Sequence, residues 1–193
     1  ALDRLPAELV RGPIAKRLVG GARGRYRTGL QRSLMALRSR RYFRLLDALD
    51  ALVCEPPPVE GGVESAPATV DAAYKRVRKA AKAAVQSPEE SRNEALHRTR
   101  KSAKRLRYTA AATGATNVAE RAKAIQTLLG DHQDSVVSRE HLCRQAAAAH
   151  AAGEDTFTYG LLYEQEAELA AGCRQQLDAA LRKLRKAARK ARN

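Results

Sequence analysis

The sequence predicts an all-α protein: an antiparallel four-helix bundle repeat, preceded by the closing helix or helices of another helical repeat. Three observations predict this. The chain is rich in Ala, Leu, Arg, Lys, Glu and Gln and poor in β-branched and aromatic residues, a helical composition. Its apolar residues recur at i, i+3, i+4 and i+7 and never alternate in the manner of a half-buried strand. Beyond residue 70, short Gly, Ser, Pro or Asp connectors separate the helical segments, as between antiparallel neighbours. At 193 residues the chain is long enough to bury a real core.

Residues 1–13 read as a connector, LDRLPAELVRGP, closing on Pro13, which suits a first helical position. Residues 14–53 then carry two helical stretches. The first, to about residue 39, places Leu30, Leu34 and Leu37 on one face, while Gly20, Gly21, Gly24 and Gly29 each weaken it by about 1 kcal/mol relative to Ala. Ser39 restarts a helix whose apolar face is Tyr42, Leu45, Leu46, Leu49, Leu52 and Val53. Residues 54–69, built on CEPPPVEGGVESAPA, form a Pro/Gly/Glu linker and the clearest boundary in the chain.

Residues 70–193 hold four helical segments, at 70–86, 88–113, 117–150 and 156–190. The first buries Val70, Ala73, Tyr74, Val77, Ala81 and Ala84 and turns Lys75, Arg78, Lys79 and Lys82 outward, with Arg76 near the edge. The third has a heptad-like seam of Val118, Ala122, Ile125, Leu129, Val136, Cys143 and Ala147, interrupted at Gly130 in LLGDHQDS. The fourth faces Leu162, Leu169, Cys173, Leu177, Leu181 and Leu184 inward. It ends in RKLRKAARKAR, where apolar spacing continues and the cations complement the helix dipole.

The second segment is the one the others are expected to hold in place. Ser87 with Glu90 reads as a capping box, Pro88 as a first helical residue and Gly114 as a stop. At about 100° per residue, His97, Arg100, Lys101, Lys104 and Tyr108 share one side, opposite Leu96, Thr99, Ala103, Leu106 and Ala110. The resulting cationic stripe is roughly 16 Å long. No acidic residue lies between Glu94 and Glu120 to neutralise it. Like charges at i, i+3 and i+4 cost helix stability. An anionic partner would offset that cost.

The net charge of +15 makes a polyanion the expected partner. The charge is segregated: +8 over residues 1–53, −3 over 54–70, +8 over 71–113, −5 over 114–173 and +7 over 174–193. A solvated helical coat would mix signs along each helix, so segregation favours a built field.

Other chemistries find little support. Cys54, Cys143 and Cys173 are odd in number and form no CxxC, so neither a disulfide framework nor a zinc site is expected, which fits a reducing, cytoplasmic setting. No apolar run spans a bilayer. His132 and His150 share a helix side but stand roughly 27 Å apart, with His141 facing away, so no shared metal ion is expected. There is no HExxH, EF-hand loop, P-loop or nucleophile elbow, hence no catalytic residue or cofactor and no enzyme. Asp131 and Asp134 could hold magnesium; the simpler expectation is that Asp134 orients or caps a neighbouring basic helix. His97, flanked by Arg100 and Lys101, is read as an anion contact, against structural and metal-ligand alternatives. General nucleic-acid binding is the alternative function. Six Tyr and two Phe are too few for single-strand stacking platforms, while duplex phosphate contacts stay open.

At LHRTRKSAKRLRYTAAATGA the chain resembles the CHAD family, the conserved-histidine α-helical domains, with supporting matches at SRRYFRLLDAL and LLGDHQDS. The resemblance implies a non-enzymatic, all-α domain of two four-helix repeats that binds inorganic polyphosphate in a shared basic cavity. It implies polyphosphate contacts at His97, Arg100, Lys101, Lys104, Arg105 and Tyr108, with Arg76 and Lys79 added from the preceding helix. Many members adjoin a CYTH-type triphosphatase domain or accompany polyphosphate granules, so such a neighbour and a granule location are implied as well. Only one histidine motif is present. The chain therefore resembles a C-terminal portion, residues 14–53 closing a first repeat, and the apolar surface along residues 30–53 invites homodimerisation.

Overall fold

A computed structural model describes residues 2–56 and 69–192. Among the described residues there are six α-helices and no strand. The chain forms two compact units, Leu2–Ala66 and Pro67–Asn193. Most of the Pro/Gly/Glu linker, residues 57–68, lies outside the described residues.

In the first unit, two 3-10 turns, Leu2–Arg4 and Ala7–Leu9, lead to a helix that starts after Pro13. It passes through wide π turns at Lys16–Gly20 and continues as α1 (Gly21–Leu37). Ser39 caps α2 (Arg40–Cys54) as expected, its Oγ accepting the Tyr42 N–H at 3.2 Å. Neither helix buries a residue. Leu30, Leu34, Leu37, Leu45, Leu49 and Leu52 all stay close to half exposed.

The second unit is α3 (Val70–Gln86), α4 (Glu89–Ala112), α5 (Thr116–Ala151) and α6 (Phe157–Lys190). Successive helices pack on one another, whereas α3 and α6 barely touch. Val77, Leu106, Ile125, Leu129 and Leu184 form the centre of the core, each no more than 1% exposed. The predicted inner faces of α3 and α4 are the ones buried, apart from Val70, which is partly covered.

The ends follow local chemistry, with one correction. Thr69 caps α3 by accepting the Ala72 N–H at 3.2 Å. Gly114 takes a φ of +74°, and the Ala115 N–H closes the end of α4 on the Ala110 carbonyl at 2.8 Å. The capping box at Ser87 does not form. Ser87 ends α3 instead, donating its hydroxyl to the Ala83 carbonyl at 2.8 Å, and Pro88 takes the cap position of α4. A connector this short cannot let one side chain serve both helices.

Two inner faces need correcting. In α5 the seam runs unbroken through Gly130, and His132 and Ser135 are buried in it, each 1% exposed. Heptad spacing from Ser135 then buries Leu142 and Ala149, leaving Cys143 and Ala147 exposed. In α6, Ala170 takes the inner place expected of Leu169, which is 52% exposed, because Cys173 and Leu177 set the phase. The basic C-terminal run is helical through Lys190.

Candidate anion-binding site

The outer face of α4 is a crest between two neighbours. This follows from helical phase: Arg98, Ser102 and Arg105 lie at i, i+4 and i+7 toward α3, while Arg100 and Arg107 lie toward α5. The predicted stripe is therefore divided, not presented whole.

On the α3 side is a groove of about 450 Å3 lined by Arg76, Lys79, Arg98, Lys101, Ser102 and Arg105 over a floor of Ala80 and Ala83. Five cations share it and no carboxylate lines it. Among the described residues, Arg98 alone of the five has an ion partner, Glu94 at 3.2 Å, and both are exposed, so the pair contributes only about 0–1 kcal/mol. Small alanines bring the two helices close, and the long side chains above them form the walls.

On the α5 side the cations are anchored. Arg107 donates to Gln126 Oε1 at 3.3 Å and stacks 5.4 Å from the centre of the Tyr108 ring. The Arg100 guanidinium rests on Gly130, where an added Cβ would stand 3.4 Å from its Nε. The Nδ1 of half-buried His97 and the Nε of Arg100 are buried without a hydrogen-bond partner. Lys104 and Tyr108 stay exposed on the crest.

Of the predicted contacts, Arg76, Lys79, Lys101 and Arg105 thus come together in the groove. His97 and Arg100 lean to the α5 seam, and Lys104 and Tyr108 stand between. Arg98 and Ser102 escaped sequence reasoning. Their signal was the i, i+4, i+7 row with Arg105, matched on α3 by Arg76, Lys79 and Ala83 at i, i+3 and i+7. Asp134 is exposed and makes no hydrogen bond or ion pair among the described residues, so it does not cap or orient a basic helix. Cys54, Cys143 and Cys173 are free thiols. His132, weighed in the sequence only as a metal ligand, is a core residue. Its burial, and then the charges of Arg174 and Arg139, hold its pKa below the ordinary 6.5.

Chemically, the groove offers ammonium and guanidinium donors to an anion with several oxygens along its length, through charge-assisted and bidentate hydrogen bonds. Among the described residues, no three His, Cys, Asp or Glu are grouped to hold a metal ion, and no helix is long and apolar enough to cross a membrane.

Two curated proteins of Mycobacterium tuberculosis, MT2285 of strain CDC 1551 and Rv2226 of strain H37Rv, both described as uncharacterized, are 71% identical to the chain over 196 residues. The match takes in 100% of this chain and 38% of each relative. No solved structure matches. The family model of the CHAD domain matches residues 1–143, which include the crest, the groove and most of α5: the chain belongs to the CHAD domain family.

Proposed function

We propose that this chain is a non-enzymatic domain that holds linear inorganic polyphosphate, entering by the groove between α3 and α4 and running along the crest of α4. CHAD domains are a polyphosphate-binding family, which supplies the ligand class. The observation that carries the reading here is the groove itself: five cations from two helices around one trough with no lining carboxylate. A condensed phosphate chain presents one anionic group after another at short spacing, so each of Arg76, Lys79, Lys101 and Arg105 meets its own phosphate. Arg100 and Lys104 extend the track toward α5.

Binding of this kind releases counterions, so affinity falls steeply with salt, as it does for proteins on DNA. The test is calorimetric titration with long-chain polyphosphate at about 0.15 M salt, beside the Lys79→Ala/Lys101→Ala double variant. Tight binding that weakens at least about tenfold in the variant supports the groove. Unchanged affinity in the variant, or at about 0.5 M salt, overturns it. Competition addresses nucleic acid: long polyphosphate displaces RNA and DNA at low ratio if the reading holds.

A further inference from the structure

The seam between α5 and α6 carries a buried polar row. At about 100° per residue, His132, Ser135 and Arg139 fall within about 60° of one another on the side of α5 that meets α6. His132 and Ser135 are each 1% exposed, and among the described residues the His132 Nε2 and the Ser135 Oγ have no hydrogen-bond partner. The Nε of Arg139 is buried without one as well, and its guanidinium lies 5.3 Å from the centre of the Tyr163 ring of α6. Arg174 of α6 completes the group. Burial, then Arg174, then Arg139 hold the His132 pKa below 6.5, so both guanidinium charges act on that imidazole.

Residues 114–173 are the acidic stretch of the chain, net −5, and yet neither arginine is paired with a carboxylate. Asp131 and Glu140 neighbour the row on α5, and Glu166 lies one turn from Tyr163 on α6; among the described residues none of the three makes an ion pair. Both arginines are half-buried, where a guanidinium without a counter-charge is costly. Polar groups buried as deeply as His132 and Ser135 are normally hydrogen-bonded. Arginine has donors and no acceptor, and a hydroxyl and an imidazole protonated on Nε2 donate too, so what the row lacks is an acceptor carrying negative charge. A guanidinium fork matches a tetrahedral oxyanion in bidentate fashion. Two donors deep in the seam and two arginines nearer its edge suit one compact ion and not a chain.

We propose that the α5/α6 seam binds a single inorganic phosphate ion, one oxygen reaching His132 and Ser135 and the others held by Arg139 and Arg174. The site shares no residue with the α3/α4 groove and does not rest on the polyphosphate reading.

The probe is inorganic phosphate, titrated at constant ionic strength into the full chain carrying isotopically labelled histidine, with calorimetry for the affinity. The His132 imidazole nitrogen resonance is expected to shift saturably. Arg139→Gln/Arg174→Gln and, separately, Ser135→Ala are each expected to weaken phosphate about tenfold, with helicity retained by circular dichroism. Ser135→Ala removes a single oxygen, so it reads the proposal even if the double variant disturbs the seam. Lys79→Ala/Lys101→Ala keeps the His132 response, whatever it does to polyphosphate, which separates this site from the groove. A His132 resonance indifferent to phosphate overturns the proposal, because water would then bridge the row. So does an equal response to chloride, which would mean an adventitious ion only, or unchanged phosphate affinity in both variants.

Discussion

The Arg100 guanidinium lies against the bare backbone of Gly130, so a glycine in the interior of the 36-residue helix α5 gives a cation of α4 its seat. Glycine there costs about 1 kcal/mol relative to Ala. Gly130→Ala is expected to raise stability by up to that amount, about 2–4 °C in Tm, and to shift Arg100 by a few tenths of an ångström. Gly130→Leu displaces the guanidinium and is expected to weaken polyphosphate as much as Arg100→Ala does. In an Arg100→Ala background it then adds nothing. Calorimetry on the four proteins measures that coupling, and additive losses would mean that Gly130 acts elsewhere.

Groove cations should outrank crest cations. Lys101 lines the α3/α4 groove, whereas Lys104 stands exposed between groove and seam. Lys101→Glu is therefore expected to weaken polyphosphate by tenfold or more, and Lys104→Glu by about two- to threefold, both with unchanged helicity. The Lys101→Ala variant should also flatten the salt dependence by about one counterion. Equal losses at the two positions would mean that the groove is not the principal seat of the phosphate chain.

Much of this was readable from residue spacing, and what was not has physical causes. The inner faces of α3 and α4 followed from period alone because each helix has an almost unbroken apolar side. The register of α5 beyond Gly130 was missed because its core continues through polar residues, His132 and Ser135, which hydrophobic patterning discards. Arg98 and Ser102 were missed because a groove belongs to two helices, and the helical wheel of α4 alone ranks them at its edge. Ser87 misled for a third reason: a cap motif fixes a helix start only when the preceding helix does not claim the same side chain.

The corrected phase of α6 has a direct stability test. Leu184 is fully buried, and Leu184→Ala is expected to cost about 2–5 kcal/mol. Leu169 is 52% exposed, and Leu169→Ala is expected to cost less than about 0.5 kcal/mol. Urea denaturation compares the two. A large cost at Leu169 would restore the phase in which it faces inward.

The buried imidazole of α5 gives the fold a pH dependence of defined sign. His132 is 1% exposed and its pKa is lowered first by burial, then by Arg174 of α6 and Arg139 of its own helix. The folded state therefore binds its proton more weakly than the unfolded chain, where the group titrates near 6.5. Above that value both states are neutral and the contribution to stability is whole. As pH falls through it, the unfolded chain gains a proton that the fold resists, and stability drops until the lowered folded pKa is reached. His132→Leu, which keeps the site apolar and removes the titration, is expected to flatten the fall in Tm between about pH 7 and pH 5. Every other residue is the same in the two proteins and cancels in the comparison. Parallel Tm profiles would show that another group carries the acid sensitivity.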